Sequence, residues 1–404
     1  MELALYCPVY GYYEKEEDTI GRRGDYYTSV SVGSLFGKLL AVQFADWLGD
    51  FQSVGSKSQI PGPKCAVSEC QQPEPPVDWG KLQIVEGGAH DGKLAGDVLT
   101  WMRRWRPDLF DQLEYCILEP SPRRREWQYA CLKEFSSRLQ WANNISELIE
   151  TESTTVKTQR LRGVRGIVFC NELLDAMPVH RWGWDASRQC WFEWGVTLQK
   201  EQLVWARVED SKSRDRQAET LKSEAPQANR TLLSNAGFDP SAADPSTALP
   251  AQMLESLEDG FTLETCPAAL QWWSTAAAAL GCGKLVAIDY GFTWEELFAG
   301  RKHGTLTAYR RHQHCPDLLQ EPGEQDLTAH VNFSQLQKIG KSAGLRTESF
   351  LTQSQFLTRL VGRISDGSIS FEPWTAAHTR QFQSLTHPDH MGHAYRVVVQ
   401  AKAG

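Results

Sequence analysis

The sequence lacks the features that mark several large classes of proteins. No apolar run reaches 18 residues, and no basic segment followed by an apolar one is present at the start, so neither a membrane span nor a secretory or transit signal is predicted. The net charge of −8 argues against a general attraction to nucleic acid or anionic membranes. These absences predict a cytosolic chain with no nucleic-acid or membrane partner.

Disulfide and metal signatures are also missing. The 10 cysteines are scattered without a C-x-x-C pair, which favours reduced thiols in a chain of this length. Two histidine clusters occur, one at His312, His314 and Cys315 and one at His387, His390 and His393. Neither has the spacing of a recognised zinc site, and we therefore predict no metal.

What the sequence does contain is an alternation of buried strands and helices. With 404 residues and 41% hydrophobic residues it can form a large core, either as two or three domains or as one elaborated α/β domain. Apolar runs predict strands at 82–85, 113–118, 166–170, 284–288 and 397–400. Helical spacing predicts helices at 35–48, 94–102, 123–139 and 333–343, with others between. This order predicts a mostly parallel sheet.

Composition also suggests where the chain divides. Residues 1–50 form an N-terminal segment with a helix that could cover a pocket, and the proline-rich residues 51–80 form a flexible loop. The core comprises 81–206 and 250–404, with insertions, and 207–249 is a mobile loop. Within the core, the tryptophan-rich residues 182–207 alternate as antiparallel strands do.

The clearest ligand signal is a glycine turn between the first core strand and its helix. It begins with Glu86 and continues through Gly88, His90 and Gly92. In open α/β sheets such a turn lies at the carboxyl end of a strand, where ligands bind. Neither a phosphate loop nor G-x-G-x-x-G is present. From the residues alone, the turn is either a ligand site or a tight structural connection.

Polar groups follow three further strands. Glu119 ends the second strand, where a Rossmann-like fold uses a carboxylate to bind ribose hydroxyls. Asn171, Glu172 and Asp175 follow the strand at 166–170, and Asp289 follows 284–288. The alternative for Asn171 and Asp175 is that they cap a helix, and for Glu119 that it is merely solvated.

These residues resemble the motifs of the MidA family, bacterial and mitochondrial methyltransferase-fold proteins whose mitochondrial member is an arginine methyltransferase needed for complex I assembly. The turn is similar to E-x-G-x-G-x-G, the first motif of S-adenosylmethionine-dependent methyltransferases. The matching segments are Met1 to Tyr6, Gly11-Tyr-Tyr, Gly24 to Ser29, Leu35-Phe-Gly37, Glu86-x-Gly, Glu119-Pro-Ser, Asn171 to His180, Asp289-Tyr-Gly, Gly304-Thr-Leu and Asp326 to Val331.

The resemblance implies a Rossmann-like class I methyltransferase fold. Its mostly parallel seven-stranded sheet would have helices on both faces, and the N-terminal segment and insertions would form a lid and substrate region. It also implies S-adenosylmethionine as cofactor, with S-adenosylhomocysteine as product. The cofactor-binding residues would be Glu86, Gly88, His90, Gly92, Glu119, Gln140, Trp141 and Asn171, with a loop at Gln140-Trp141 near the adenine.

The resemblance further implies acids that orient an arginine acceptor. Glu172 is the first choice as catalytic residue, followed by Asp175 and Asp289, because a protonated guanidinium pairs with carboxylates. The substrate and lid residues would be Asp25, Tyr27, His312, Asp326 and His330. The acceptor would be a protein, with a respiratory-complex subunit as one possibility. A homodimer is left open, and we expect a bacterial cytoplasmic location.

Two departures from the family pattern keep alternatives open. His90 replaces the central glycine of the motif, and its side chain would either crowd the methionyl group or point away. The family usually has another helix before Met1, which leaves open whether the native start lies upstream. The leading hypothesis is a protein arginine methyltransferase. A non-catalytic assembly factor that binds a partner is the second, and a nicotinamide-dependent oxidoreductase is the third.

Overall fold

The computed structural model describes residues 1–15, 27–55, 81–150, 163–208, 245, 254, 257–300, 302–311 and 313–403. The strands are β1 (Leu82–Gly87), β2 (Leu113–Leu118), β3 (Leu139–Ala142), β4 (Val164–Asn171), β5 (His180–Asp185), β6 (Cys190–Gln199), β7 (Gln202–Val208), β8 (Thr262–Thr265), β9 (Leu280–Phe292), β10 (Thr307–Arg310), β11 (Gln313–Cys315), β12 (Asp326–Thr328), β13 (Val331–Asn332), β14 (Arg346–Thr352) and β15 (Tyr395–Lys402).

A central sheet has the strand order β14-β15-β9-β4-β1-β2-β3. All neighbouring pairs from β9 to β3 are parallel, whereas β15 is antiparallel to β9 and to β14. The short strand β13 adds a parallel pair at the end of β9. The predicted mostly parallel sheet of seven strands is therefore confirmed, with β13 as a small addition. Strand order reverses between β1 and β4, which is the position where open α/β sheets bind ligands.

Helices cover both faces of this sheet, as predicted. They are α1 (Glu2–Tyr6), α2 (Ser29–Val32), α3 (Leu35–Gly55), α4 (Lys93–Trp105), α5 (Pro107–Phe110), α6 (Pro122–Cys131), α7 (Glu147–Glu150), α8 (Pro267–Ala279), α9 (Trp294–Gly300), α10 (Phe333–Ser342), α11 (Gln353–Ser365) and α12 (Ala376–Thr386), with 3-10 turns at Tyr12–Glu14 and Lys133–Arg138 and a π turn at Pro388–Gly392.

Successive residues of the central strands pack into two different hydrophobic cores, one on each face of the sheet. Ile84 packs with the side chains of α3, α4 and α11, and Val85 packs on the opposite face with those of α8 and α10. This division follows from the alternation of side chains along a strand. The sheet is thus buried on both faces, and the glycine turn follows β1 at one end of it.

A second, antiparallel sheet has the order β7-β6-β5-β8. It confirms the antiparallel interpretation of the tryptophan-rich segment. Trp182 and Trp184 form its buried core with Phe261 and Leu263. A third small sheet has the order β11-β10-β12 and packs on the N-terminal residues Leu5 and Tyr12.

Some predicted boundaries were wrong. Helix α3 ends at Gly55 rather than residue 48, because Phe51 still packs on the core, so 51–55 is not loop. The helix predicted over 123–139 ends at Cys131 and is followed by a 3-10 turn. Gln140 and Trp141 lie in β3 rather than in a loop, because they pair with Cys116 and Ile117 of β2.

Two predicted loops fall largely outside the residues that the structure describes. The loop predicted at 51–80 has its residues 56–80 outside the described part, and most of the loop predicted at 207–249 lies outside it as well. Across the described ranges, no helix combines the length and apolar character needed to cross a membrane.

Candidate cofactor and acceptor site

The glycine turn joins β1 to α4 at the reversal of strand order. Gly88 and Gly92 have φ angles of +77° and +86°, which favour glycine. A Cβ on Gly88 would lie 3.0 Å from the Leu173 side chain, and one on Gly92 would lie 3.0 Å from Leu132. The turn is therefore held closely between the segment after β4 and helix α6.

Two buried carboxylates lie at the ends of the adjacent strands β1 and β2. Glu86 accepts a 2.6 Å hydrogen bond from the Tyr115 hydroxyl, and burial raises the pKa of Glu86 to about 7. Glu119 accepts hydrogen bonds from the Ser121 N–H at 2.9 Å and from Gln128 Nε2 at 3.1 Å. Burial also raises the pKa of Glu119. Because β1 and β2 are parallel and in register, both carboxylates lie at the same edge of the sheet.

His90 adopts a left-handed backbone conformation, with φ of +48°. Its ring lies edge-on to Trp127 of α6, with ring centres 6.1 Å apart, and its Nδ1 is 3.7 Å from Asp91 Oδ1. The His90 carbonyl accepts a 2.9 Å hydrogen bond from Gln128 Nε2. The side chain is therefore directed toward α6, which favours the alternative that it points away from the turn.

Gln128 is a site residue that the sequence analysis missed. It is the buried residue of α6 and binds the glycine turn through His90 and the end of β2 through Glu119. Its Oε1 accepts a 2.9 Å hydrogen bond from the Trp141 indole of β3. No local sequence pattern identifies Gln128 as a site residue, since its helix is polar and the tryptophan beside it is the more apolar residue. Gln140 is exposed and contributes no side chain to this network.

Glu172 lies at the end of β4, where three uncharged groups donate hydrogen bonds to its carboxylate. Glu172 has φ of +50°, and its Oε1 accepts hydrogen bonds from the Ser29 N–H at 2.8 Å and from Asn171 Nδ2 at 3.1 Å. Its Oε2 accepts a 2.8 Å hydrogen bond from the Tyr395 hydroxyl. Burial nevertheless raises the pKa of Glu172 to about 7. Helix α2 of the N-terminal segment is thereby bound to this strand end.

Asp175 and Asp289 lie beside Glu172 and are both buried. Asp289 accepts hydrogen bonds from the Leu174 N–H at 3.0 Å and the Tyr290 N–H at 2.9 Å, and burial and Asp175 hold its pKa well above the usual range. Asp175 Oδ2 accepts a hydrogen bond from the Tyr290 hydroxyl, and burial raises the pKa of Asp175 to about 6. Asp175 Oδ1 is also buried, and among the described residues it accepts no hydrogen bond of regular geometry, although the nearby Ala176 N–H lowers the pKa of the carboxyl group.

Aromatic side chains surround these acids. The Tyr290 ring contacts His330 and Tyr395 with ring centres 5.2 and 5.5 Å apart. From the N-terminal segment, the Tyr13 hydroxyl donates a 2.6 Å hydrogen bond to Asp326 Oδ1, and the Tyr6 hydroxyl donates one of 3.0 Å to the Ala176 carbonyl. Asp326 and His330 thus lie near the acids, and their role in substrate binding stays a prediction; the sequence analysis did not include the tyrosines among the site residues.

Helix α6 connects the two halves of the site. The guanidinium of Arg124 donates a 2.9 Å hydrogen bond to the Tyr13 carbonyl, and Arg123 donates one of 2.5 Å to the Glu14 carbonyl. The same helix carries Gln128, which contacts the cofactor-side residues. The N-terminal segment is therefore bound on one side by α6 and on the other by the segment after β4.

The remaining predicted residues are placed as follows. Tyr27 is half-exposed and precedes the Ser29 that binds Glu172, while Asp25 and His312 lie outside the described residues. Asn171 and Asp175 do not cap a helix, since residues 171–180 lead from β4 into β5 without one. The His387 and His390 rings lie 4.7 Å apart, but within the described ranges no three His, Cys, Asp or Glu side chains could hold a metal.

The chain is similar to known methyltransferases. Residues 65–351 match the family described as "Putative S-adenosyl-L-methionine-dependent methyltransferase". The chain is 24% identical over 412 residues to the zebrafish (Danio rerio) protein named "Protein arginine methyltransferase NDUFAF7, mitochondrial", covering 98% of this chain and 81% of that protein. It is 25% identical to the rat (Rattus norvegicus) protein of that name, covering 84% of this chain and 65% of the rat protein.

A solved structure matches along almost the whole chain. It is a Burkholderia thailandensis protein whose name gives it as a candidate methyl transferase, with S-adenosyl-homocysteine bound. The identity is 26%, the TM-score is 0.66, and the match covers 99% of this chain and 86% of that one. The cofactor is therefore S-adenosyl-L-methionine. Because the family match spans more than half of the sequence, this chain belongs to the MidA-like family of S-adenosyl-L-methionine-dependent methyltransferases.

Proposed function

We propose that this methyltransferase acts on the guanidinium of an arginine side chain in a protein. The observation that carries the proposal is the group of buried acids at the ends of β4 and β9, with Asp175 Oδ1 accepting no hydrogen bond of regular geometry among the described residues. A buried oxygen without a donor costs about 1–3 kcal/mol. A guanidinium N–H would supply that donor, and guanidinium groups stay protonated in proteins and pair with carboxylates.

The residues at the ends of β1 and β2 fit the cofactor in the chemistry of their donors and acceptors. Glu119 is a buried carboxylate at the end of β2, suited to accept hydrogen bonds from the two ribose hydroxyls. The turn from Glu86 to Gly92 would hold the ribose and methionyl parts, because the positive φ of Gly88 and Gly92 shapes the backbone at the carboxyl end of β1. Asn171, at the end of β4, borders the same region. When bound, the cofactor supplies a sulfonium methyl group for direct displacement.

The three acids receive separate roles in this proposal. Asp175 would contact the acceptor, because it has an oxygen available. The oxygens of Glu172 already accept hydrogen bonds from Ser29, Asn171 and Tyr395, which fit it to hold the neighbouring segment and to border the acceptor. Asp289 is fully buried and accepts backbone N–H groups, so it would position the segment that carries Asp175. Alignment of donor and acceptor is the main contribution that the protein makes.

An arginine acceptor is supported by distant relatives, since those in zebrafish and rat are named as protein arginine methyltransferases. The identities of 24% and 25% make acceptor type a matter for experiment. Within the proposal, a respiratory-complex subunit is the protein substrate to test first, consistent with a role in complex I assembly. A bacterial cytoplasmic location stays a prediction.

The experiment is methyl transfer from labelled S-adenosylmethionine to proteins, followed by complete hydrolysis and identification of the labelled amino acid. Subunits of respiratory complexes and unfractionated bacterial proteins would be offered as acceptors. We expect the label in methylated arginine. Label in another amino acid would contradict the arginine assignment, and cofactor binding without transfer to any acceptor would favour the non-catalytic assembly factor.

A further inference from the structure

Gln128 connects three elements of the cofactor side through one side-chain amide. It is fully buried in α6, and its amide contacts the His90 carbonyl, the Glu119 carboxylate and the Trp141 indole at 2.9, 3.1 and 2.9 Å. We propose that Gln128 is the positioning residue of the cofactor site and sets the orientation in which Glu119 meets the ribose hydroxyls. This inference rests on the proposed role of Glu119.

The partners determine how the amide is oriented. A carbonyl only accepts and an indole N–H only donates, so Nε2 must face His90 and Oε1 must face Trp141. The two N–H groups of Nε2 are then shared between His90 and Glu119. A carboxylate at position 128 could not donate both hydrogen bonds, and an aliphatic side chain could donate neither. Glutamine is therefore the side chain that fits this position.

The hydrogen bond from Gln128 to the His90 carbonyl also concerns the position where this chain has a histidine in place of the central glycine of the family motif. A non-glycine residue with φ near +50° is strained relative to glycine. The hydrogen bond from Gln128 to the His90 carbonyl stabilises that conformation, and the His90 ring lies against Trp127 of the same helix. Gly92 lies against the end of the same helix, where a Cβ would come within 3.0 Å of the Leu132 side chain.

Glu119 depends on Gln128 for one of its two oxygens. The Ser121 N–H binds Oε1, and Gln128 binds Oε2. Loss of Gln128 leaves the carboxylate held at one oxygen and free to turn about its last torsion. The consequence for cofactor binding would then arise through Glu119 and not through a direct contact of Gln128. That dependence can be measured with a double-variant cycle.

The test is calorimetric titration with S-adenosylhomocysteine, combined with thermal melting of each variant. We expect Gln128→Leu to weaken binding about tenfold or more, corresponding to ~1.4 kcal/mol. In a Glu119→Ala background the same substitution should weaken binding by less than about threefold further. Glu126→Gln is the control, because Glu126 lies on the exposed surface of the same helix; it should change neither the melting temperature nor, by more than about threefold, the binding.

If Gln128→Leu does not fold, Gln128→Glu provides the test of the positioning role. When protonated, the new carboxyl group can donate one hydrogen bond to Glu119, and when ionised it repels Glu119. Binding should therefore be close to that of the wild type near pH 5 and about tenfold weaker near pH 8, relative to the wild type at each pH. Equal relative affinity at both pH values would overturn the positioning role.

The outcomes separate this inference from the proposed function. If Glu119→Ala binds S-adenosylhomocysteine as tightly as the wild type, the assignment of Glu119 to the ribose is wrong, and the positioning role of Gln128 is wrong as well. If Glu119→Ala binds weakly while a folded Gln128→Leu binds normally, the positioning inference alone is wrong. Full additivity of the two losses would also contradict it, since Gln128 would then act independently of Glu119.

Discussion

Within the described part of the chain, burial and neutral donors dominate the surroundings of Glu86, Glu172 and Asp175. At Glu119 burial also raises the pKa, and the nearby Arg124 lowers it in part. Burial is the first cause of the raised pKa of Glu86, Glu172 and Asp175, and neutral hydroxyl, amide and backbone groups supply the hydrogen bonds described above. A positively charged ligand would relieve the cost of keeping these groups ionised. The electrostatics of the residues thus favour a cationic acceptor, in agreement with the proposed function.

The raised pKa of Glu172 predicts how stability depends on pH. Its folded pKa of about 7 exceeds the ordinary value of 4.5, so its contribution is present at low pH and is lost as pH rises through 7. We expect the free protein to melt at lower temperature at pH 8 than at pH 5.5. Glu172→Gln should reduce this difference by about 2–5 °C, because its amide does not ionise. Melting curves across pH check this, and an unchanged slope in the variant would contradict it.

His90→Gly tests whether the imidazole affects the cofactor. Because the ring lies against Trp127 of α6, we expect the affinity for S-adenosylhomocysteine to change by less than about threefold. Calorimetric titration provides the measurement, with Trp127→Phe as a control for the loss of the ring contact. Tightening by tenfold or more in His90→Gly would mean that the side chain crowds the methionyl group, which is the other alternative left by the sequence.

At the scale of elements, strand register brings the acids together. Asn171 of β4 pairs with Ile288 of β9. Glu172 and Asp289 are the next residues along the two parallel strands, and they therefore lie side by side. Helix α2 then packs across this edge, where the Ser29 N–H binds Glu172 and the Ser29 hydroxyl donates a 3.1 Å hydrogen bond to Gln353. The N-terminal segment is therefore coupled to the acids through one backbone donor.

Ser29→Pro and Ser29→Ala form a matched pair that isolates this donor. Both substitutions remove the hydroxyl, but only proline removes the N–H. Ser29 is the first residue of α2, where proline is tolerated, and Thr28 before it is extended, as proline requires. We expect Ser29→Pro to reduce methyl transfer about tenfold or more and to shift its dependence on pH upward, as Glu172 becomes harder to ionise.

The comparison with Ser29→Ala decides this prediction. The alanine variant should lose about 1 kcal/mol of stability through the bond to Gln353 and retain transfer within about threefold. Transfer rates between pH 6 and pH 9 provide the readout, with melting curves to establish folding. Equal transfer by the two variants would contradict a role for the N–H, and the N-terminal segment would then serve stability alone.

For the molecule as a whole, the sequence predicted the central sheet well. A parallel strand buried on both faces appears as a continuous apolar run, and its end is marked by the first polar residue, as at Leu113–Leu118 followed by Glu119. The end of the apolar run located Glu86, Glu172 and Asp289 in the same way, although Glu86 lies within β1 and Asp289 within β9. The candidate residues at strand ends could therefore be located from local sequence, before any long-range contact was known.

The rest of the site depends on contacts that no local pattern specifies. Tyr13 and Asp326 are 313 positions apart, and their hydrogen bond follows from how the N-terminal segment packs on the third sheet. Gln128 looks like any polar residue of a surface helix until β3 and the glycine turn are placed around it. The break at Cys131 was missed for the same reason, since the residues after it still have helical spacing.

We propose that one edge of the sheet binds the cofactor at β1 and β2 and the acceptor at β4 and β9. The most direct test is to compare binding with transfer in Asp175→Asn, with Glu126→Gln on the exposed surface of α6 as the control. We predict that Asp175→Asn binds S-adenosylhomocysteine within about threefold of the wild type and transfers methyl groups at least ~100-fold more slowly, an effect of ~2.7 kcal/mol on the barrier. Transfer at the wild-type rate by Asp175→Asn would contradict the account.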